Sequence, residues 1–373
     1  MERLRIAVIG CGVAAQTRHL PALARLGDRF RVVALCDTDT RALERAAVWV
    51  SGSRRFASVG ELFAAAELFD AVLITTSGDH VAEIQGAVAS GKSVFVEKPL
   101  SLSPEQARGL VEAIESAGVG CVVGYMKRYS TAVTTALEQV GIASGLRTVA
   151  ADLVHPPEDR YLHSVLGRAR PPGGSLLEFV HHQVTDGASA AAIRRTVGAD
   201  APLAALTAYF LLATSVIHDV NLLRTALGGH VRVVNAAFWN DGLSGQATLR
   251  SPSGRVGLVS YTFVAAGRYT ETLALVGDTT RCAVSFPSPY LPHAPIALDT
   301  ENDGDAVTRE LIYDDVFAAE LIAFHDQIVS GKAAATGPRE ALADLDLIAE
   351  IVRSARTVER DTTTEGNRRV GFC

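Results

Sequence analysis

The sequence predicts an α/β protein, with an N-terminal doubly wound parallel sheet followed by a C-terminal α/β domain that has an open, mostly antiparallel sheet. Three observations lead to this prediction. Short apolar runs alternate with helical patterns over the first third of the chain, as parallel strands covered on both faces require. A glycine-rich turn separates the first strand from the first helix. Beyond residue 230, strand-like runs follow one another with only turns between them, which is typical of an antiparallel sheet.

The first part of the chain contains five predicted strands and five predicted helices. The strands are expected at Arg5–Ile9, Arg31–Cys36, Ala71–Thr75, Ser93–Val96 and Gly120–Gly124. The helices are expected at Val13–Leu26, Arg41–Val50, Gly60–Ala66, His80–Ser90 and Pro104–Ala117. Ser103 supplies a side-chain cap for the last helix, and Pro104 suits its first position.

The remainder of the chain begins with a helix at Ala132–Val140, a strand at Arg147–Val154 and a loop at His155–Gly174. Residues Leu176–Gly228 are expected to be mostly helical. Strands then follow at Val231–Trp239, Gln246–Arg250, Val256–Phe263, Thr270–Val276 and Arg281–Phe286. Two amphipathic helices at about 315–356 close the fold, and packing back on the first domain is one arrangement open to them.

Composition excludes several classes of protein. A chain of 373 residues with 48% hydrophobic residues is long enough for two domains, and its net charge of −6 argues against a nucleic-acid partner. The five cysteines are scattered and contain no C-x-x-C pair, so we expect a reducing compartment without disulfides or a metal site. With no leader pattern and no uninterrupted apolar run of membrane length, the sequence predicts a cytoplasmic protein with no membrane partner.

The glycine-rich turn has the pattern G-x-G-x-x-[GA], in the segment Gly10-Cys11-Gly12-Val13-Ala14-Ala15. Between a strand and a helix, such a turn lets a pyrophosphate approach the backbone at the helix N-terminus. Asp37 ends the second strand, 25 residues beyond Gly12, where a carboxylate binds ribose hydroxyls. The alternative is a tight turn with an unrelated surface aspartate. Because Asp37 would repel a 2′-phosphate, the sequence favours NAD, while Arg41 keeps NADP possible.

Further motifs accompany this turn. They are Asp70-Ala71-Val72-Leu73-Ile74-Thr75-Thr76-Ser77 before His80, Glu97-Lys98-Pro99-Leu100, Gly124-Tyr125-Met126-Lys127-Arg128-Tyr129, and His218-Asp219-Val220-Asn221-Leu222-Leu223-Arg224. Together they resemble the signature of the glucose–fructose oxidoreductase, inositol dehydrogenase and rhizopine-catabolism family, abbreviated Gfo/Idh/MocA. The resemblance extends over nearly the whole chain.

The resemblance implies a dinucleotide-binding Rossmann domain over residues 1–125 and a substrate-binding and oligomerisation domain over residues 126–373. Members are mostly NAD(P)-dependent oxidoreductases that act on CH–OH groups of sugars, polyols, cyclitols or sugar nucleotides. We therefore expect a polyhydroxylated small-molecule substrate and a homodimer or homotetramer. Two alternatives are an enzyme that retains NAD through oxidation and re-reduction, for epimerisation, elimination or glycoside cleavage, and a catalytically silent cofactor-binding regulatory protein.

Lys98 matches the catalytic lysine of the family, and it follows a parallel strand at the sheet edge where ligands bind. An ammonium group there can polarise the substrate oxygen. The histidine that exchanges the proton usually lies in D-x-x-x-H. His218 matches this position through the residues on its C-terminal side, but Thr214 replaces the aspartate. His182 is the alternative acid/base.

The remaining predicted site residues belong to the same motifs and to the segment between them. The cofactor set is Gly10, Cys11, Gly12, Val13, Ala14, Ala15, Asp37, Thr38, Arg41, Thr75, Thr76, Ser77, His80, Glu97 and Lys98. The substrate set is Lys98, Tyr125, Lys127, Arg128, Tyr161, Glu178, His182 and Asn221. Lys127 adds positive charge that could meet a phosphate or carboxylate, although a solvated lysine at a helix start is the alternative.

Overall fold

The computed structural model describes residues 3–141, 145–157, 176–265, 267–291, 293–304 and 306–357. The predicted fold class is confirmed within these residues: a parallel sheet is followed by a mixed, mostly antiparallel sheet, with helices in both halves. Tyr161 and most of the loop predicted at His155–Gly174 lie outside the described residues.

The first sheet contains six parallel strands. They are β1 (Leu4–Ile9), β2 (Phe30–Cys36), β3 (Arg54–Phe56), β4 (Ala71–Ile74), β5 (Ser93–Glu97) and β6 (Cys121–Gly124). Their order is β3-β2-β1-β4-β5-β6, which places a topological switch point between β1 and β4. Ligands of such sheets bind in the crevice at the carboxyl ends of these strands. The sequence patterns did not predict β3.

Helices cover both faces of this sheet. They are α1 (Leu20–Arg25), α2 (Thr40–Ala47), α3 (Val59–Phe63), α4 (Val81–Ala89) and α5 (Pro104–Ala117). A π-helical turn at Ala15–His19 precedes α1, where the sequence predicts one uninterrupted α-helix. The Ser103 side chain accepts a hydrogen bond from the Gln106 backbone at the start of α5, and Gly118 ends that helix in a left-handed conformation.

Among the described residues, the second sheet contains nine strands. They are β7 (Thr148–His155), β8 (Arg232–Trp239), β9 (Ser244–Arg250), β10 (Val256–Phe263), β11 (Thr270–Val276), β12 (Thr280–Phe286), β13 (Ile296–Asn302), β14 (Thr308–Ile312) and β15 (Ala355–Thr357). Their order is β14-β13-β12-β11-β7-β10-β9-β8-β15. Within the described part of this sheet, only the β7–β10 and β8–β15 pairs are parallel. The sequence patterns did not predict β13, β14 or β15.

Residues Leu176–Gly228 are mostly helical, as predicted. They contain α7 (Leu176–Thr185), α8 (Ala190–Val197), α9 (Leu203–Leu211) and α10 (Ile217–Ala226), preceded in the chain by α6 (Thr131–Gln139). A π-helical turn at Leu212–Val216 joins α9 to α10. The stretch Leu203–Ala226 has the length and apolar composition of a membrane helix, but 67% of its most apolar window is buried inside the protein. Core helices of globular proteins share these properties.

The two closing helices, α11 (Val316–Ser330) and α12 (Pro338–Ser354), pack back on the first domain. Leu321 and Phe324 of α11 are buried in a core cluster with Phe95 of β5. At the surface, α12 pairs Asp346 with Arg108 of α5. These contacts tie the end of the chain to the sheet that carries the glycine-rich turn.

A buried polar network fixes α12 against α10. Arg224 donates from Nε to Asp344 at 2.7 Å, and the Asn221 side-chain amide donates to the same carboxylate at 2.7 Å. Arg128 in turn donates to the Asn221 side-chain oxygen at 3.2 Å. The Asp344 side chain is fully buried, so its charge depends on these donors.

We expect Asp344→Ala to lower the free energy of unfolding by about 3 to 5 kcal/mol, because it leaves the buried Arg224 charge without its main partner. Asp346→Ala is the matched control. It removes an aspartate of the same helix, but this side chain is 47% exposed. We therefore expect it to lower the free energy of unfolding by less than ~1 kcal/mol. Thermal and denaturant unfolding of both variants measure the difference. Equal losses would contradict the role given to the network.

Candidate functional site

The glycine-rich turn lies at the carboxyl end of β1, beside the residues that follow β4. Gly10 has φ +86°, and a Cβ built on it would lie 2.6 Å from the Thr76 backbone nitrogen, so only glycine fits there. A Cβ on Gly12 would meet no atom within 4 Å. The exposed space beside Gly12 is therefore open to the close approach of a phosphate group. This arrangement fits a dinucleotide.

Asp37 lies directly after β2 and is bound to this turn. Its carboxylate accepts hydrogen bonds from the backbone nitrogens of Cys11 at 2.6 Å and Asp39 at 2.8 Å. Thr38 and Arg41 lie next to it and are exposed. The structure thus brings together the glycine turn and the carboxylate predicted to meet a ribose, with an arginine nearby.

The segment after β4 closes the other side of the crevice. Thr75 is buried and donates from its hydroxyl to the Gly10 carbonyl at 2.5 Å. His80 is also buried, with Nδ1 2.8 Å from the Pro99 carbonyl and Nε2 2.9 Å from the Thr76 carbonyl. His80 therefore holds this segment against the residues after β5, while Ser77 is exposed.

Lys98 connects the first sheet to the long helix of the second half. Its Nζ donates to the Thr214 carbonyl at 2.6 Å. Thr214 lies in the π-helical turn at Leu212–Val216, where the regular α-helical hydrogen-bond ladder is interrupted. Burial lowers the pKa of Lys98 and outweighs the opposing effect of the Glu97 carboxylate. A lysine in this state gives up a proton more readily than one in water.

His218 lies one turn beyond Thr214 and is buried. Its ring packs edge-on against Tyr125, with ring centroids 5.9 Å apart, and its Nδ1 has no hydrogen-bond partner among the described residues. Burial, followed by the charges of Lys98 and Lys127, lowers the pKa of His218 well below its ordinary value. The imidazole is therefore neutral at physiological pH and close to both lysines.

Lys127 is buried and ion-paired, and is not a solvated lysine at a helix start. Its ammonium pairs with Glu271 of β11 and lies 4.9 Å from the centroid of the Phe286 ring. The Tyr269 hydroxyl donates to the same Glu271 carboxylate at 2.7 Å. The positive charge of Lys127 therefore lies in the wall of the cleft and is already paired with the carboxylate of Glu271.

Other predicted substrate residues lie elsewhere. The polar atoms of Asn221 and Arg128 bind within the network around Asp344, so we assign both a structural role. Glu178 and His182 lie exposed on α7. The structure therefore brings Lys98, His218, Tyr125 and Lys127 together, and among the described residues it provides no contact that links His182 to them.

A second polar cluster was missed by the sequence analysis. His19 Nε2 lies 2.7 Å from a Glu97 oxygen, and the buried Glu320 of α11 completes a group whose candidate ligand atoms lie within 4.8 Å of one another. Burial acts to raise the pKa of Glu97, but the hydrogen bond and charge of His19, with the charge of Lys98, outweigh it and lower that pKa. Burial and the Glu97 charge raise the pKa of Glu320. A proton on Glu320 therefore leaves this pair of carboxyl groups with one negative charge, which lies on Glu97. Only proximity in the fold identifies Glu320, because no sequence motif marks it.

Asp219 is the remaining buried acid near the site. Neither of its carboxylate oxygens has a hydrogen-bond partner among the described residues. Burial raises the pKa of Asp219 to about 6, with the Lys127 charge acting in the opposite direction. A buried carboxyl without a partner costs stability, and such groups cluster at functional sites.

Comparison with known proteins gives a family match over about the first third of the chain. The model of the oxidoreductase family with an NAD-binding Rossmann fold, GFO_IDH_MocA, matches residues 4–125. Inositol 2-dehydrogenase 3 of Saccharopolyspora erythraea is 34% identical over 168 residues, 44% of this chain and 48% of that protein. An inositol 2-dehydrogenase of Burkholderia multivorans is 38% identical over 129 residues, 34% of this chain and 38% of that protein. The chain thus spans less than half the length of these relatives.

Solved structures are similar over nearly the whole chain. KijD10, a 3-ketoreductase from Actinomadura kijaniata in complex with NADP and TDP-benzene, has a TM-score of 0.72 at 21% identity, covering 96% of this chain and 99% of that chain. An oxidoreductase from Thermotoga maritima has a TM-score of 0.69 at 22% identity, covering 95% of this chain and 97% of that chain. At these identities the likeness establishes the fold.

The unpaired state of Asp219 leads to a pH-dependent prediction. Its folded pKa of about 6 exceeds that of an unfolded aspartate, ~3.9, so its ionisation destabilises the folded protein as the pH rises between these values. At pH 7.5 we expect the free energy of unfolding of Asp219→Asn to exceed that of the parent by up to about 3 kcal/mol. At pH 4 we expect the two proteins to be equally stable. Unfolding midpoints at both pH values measure this. Asp28→Asn, at an exposed position, is the control, and an equal gain at both pH values would refute the assignment.

Proposed function

We propose that this chain is a member of the Gfo/Idh/MocA oxidoreductase family, whose model matches residues 4–125, and that it is an NAD(P)-dependent oxidoreductase acting on a CH–OH group of a sugar, polyol, cyclitol or sugar derivative. The hydrogen bond between Lys98 and Thr214 carries the proposal, because it brings the lysine after β5 to the helix that holds His218. The inositol dehydrogenases and the 3-ketoreductase among the similar proteins support this class of substrate.

When bound, the nicotinamide exchanges a hydride with the substrate carbon. The roles of the protein groups follow from their surroundings. The Lys98 ammonium would donate a hydrogen bond to the substrate oxygen and stabilise negative charge on it. His218 is neutral and has an Nδ1 without a partner among the described residues, so it can take the hydroxyl proton during oxidation and return it during reduction. Burial of both groups strengthens their electrostatic effect on the oxygen.

The cofactor would be held at the crevice between β1 and β4. The backbone of Gly10–Ala15 would meet the pyrophosphate, and Asp37 would meet the adenosine ribose. Thr75 and His80 hold the adjoining wall through their bonds to the Gly10 and Pro99 carbonyls. We propose NAD as the preferred cofactor. Arg41 is the residue through which NADP could bind.

We also propose a cytoplasmic homo-oligomer. The four cysteines among the described residues are free and buried, which suits a reducing compartment. The outer face of the second sheet carries exposed apolar side chains at Leu258, Val276 and Leu311, which the strand registers place on one side. This face supports the prediction of a dimer or tetramer, since apolar surface spread over several strands favours association.

Asp37 gives the first test of this function. We expect the purified, nucleotide-stripped protein to bind NADH more tightly than NADPH, because the Asp37 carboxylate would repel a 2′-phosphate. Asp37→Ser should shift the ratio of the two affinities toward NADPH by about tenfold or more, ~1.4 kcal/mol. Energy transfer from protein to nicotinamide fluorescence measures both affinities. Asp28→Ser removes the same charge far from the turn and should leave the ratio unchanged. Binding of neither nucleotide would reject the function.

Lys98 gives the second test. Lys98→Met should lower the turnover of a substrate found in a polyol and sugar screen by at least ~100-fold and leave NADH affinity nearly unchanged, because it removes one electrostatic contact to the substrate oxygen. Lys332→Met, at an exposed position, is the control and should retain full turnover. A Lys98→Met rate above about one tenth of the parent rate would show that Lys98 has another role. If the protein instead retains its nucleotide through purification, this favours the alternative of an enzyme that keeps NAD through oxidation and re-reduction of the substrate.

A further inference from the structure

A large pocket lies at the interdomain cleft, beyond the predicted cofactor residues. Its volume is about 640 Å³, which is in the range of small-molecule sites. One wall is formed by α1 and the residues that follow α2, and the other by the segment after β12 and the residues before α11. Met126 and Lys127, which follow β6, also line it. Gln16, directly after the glycine-rich turn, belongs to the lining, whereas Gly10–Ala15, Asp37, Lys98 and His218 do not.

The walls of this pocket expose large apolar side chains to solvent. Val48 is 85% exposed, Trp49 46%, Leu291 39% and Tyr313 70%. All four line the same pocket, together with the rings of Phe286 and Phe317. Single exposed apolar residues are ordinary, but several around one concave site mark a binding surface. Aromatic rings on both walls suit a flat, apolar ligand.

Three basic side chains that line the pocket lie beside carboxylates. Arg25 pairs with Asp315, Arg45 lies 3.7 Å from Asp39, and Lys127 pairs with Glu271. The Arg18 guanidinium lies over the Phe317 ring, 5.5 Å from its centroid. An anionic ligand would have to compete with these carboxylates. The charge arrangement therefore favours an uncharged apolar group over a phosphate.

We propose that this pocket binds the apolar, aromatic aglycone of a glycoside substrate. The inference rests on the proposed function, since it requires the sugar ring to lie at Lys98 and His218. Lys127 connects the two positions, because it lines the pocket and comes two residues after Tyr125, whose ring centroid lies 5.9 Å from that of His218. The sugar ring then lies next to Met126 and Lys127, and the aglycone extends from there toward Trp49 and Tyr313.

Matched glycosides test the aglycone position directly. Methyl and phenyl glycosides of a panel of hexoses, and the corresponding uridine diphosphate hexoses, are titrated by calorimetry into the protein saturated with NADH. We expect at least one phenyl glycoside to bind about tenfold or more tightly than its methyl partner, because the ring is removed from water. We also expect the uridine diphosphate hexoses to bind more weakly than the phenyl glycosides.

The two tryptophans of the chain provide a local readout that needs no turnover. Trp239→Phe leaves Trp49 as the remaining tryptophan, and its fluorescence should change when the phenyl glycoside binds. Trp49→Phe leaves Trp239, which does not line the pocket, and its fluorescence should not change. Trp49→Ala and Tyr313→Ala should each weaken phenyl glycoside binding about fivefold or more and leave methyl glycoside binding unchanged.

Two results would overturn the inference. One is that no phenyl glycoside binds more tightly than its methyl partner. The other is that uridine diphosphate hexoses bind most tightly, which would make the pocket a nucleotide site. If either occurs while NADH still binds and a sugar is still oxidised, only the aglycone proposal fails. Failure of NADH to bind would reject the proposed function instead.

Discussion

The contact between Lys98 and the Thr214 carbonyl is the one on which the geometry of the site depends. Lys98 comes from the carboxyl end of a strand in the first sheet, and Thr214 from the long helix of the second half, 116 residues further along the chain. The π-helical turn places that carbonyl beside the lysine. His218 follows one turn later on the same helix. The hydrogen bond therefore fixes the separation of the sheet from the helix and brings the two candidate catalytic groups together.

Around this contact, the protein keeps several ionisable groups out of water. Burial lowers the pKa of both Lys98 and His218 and raises that of Asp219. Each of these groups costs stability, because its charged form is poorly solvated. The network around Asp344 and the packing of α11 and α12 against the first sheet offset that cost away from the site. Stability and site chemistry are thus carried by different parts of the same helices.

Local signals predicted most of the fold. The strands Val256–Phe263 and Thr270–Val276 and the helix Pro104–Ala117 have the predicted bounds, because alternation, turns and a proline cap act within a few residues. The strand Arg54–Phe56 was missed because it is short and has two exposed arginines, and Thr308–Ile312 because it lies at the edge with no buried residue. Lys98 and His218 were found through motifs. Motifs did not identify the partners of Glu97 and Arg224, because Glu320 and Asp344 approach these two residues only in the folded chain.

The departure at Thr214 from the family pattern also has a structural explanation. The sequence lacks an aspartate four residues before His218, which on its own suggests that the catalytic site is incomplete. In the structure, the Thr214 backbone carbonyl, not its side chain, accepts the Lys98 hydrogen bond, while its hydroxyl donates to the Phe210 carbonyl at 2.6 Å. A backbone acceptor orients the lysine whatever side chain is present, and as a neutral group it adds no negative charge to that of Glu97. Lys98 thus has less negative charge beside it than a carboxylate at position 214 would provide, so burial still outweighs Glu97 and lowers the pKa of Lys98.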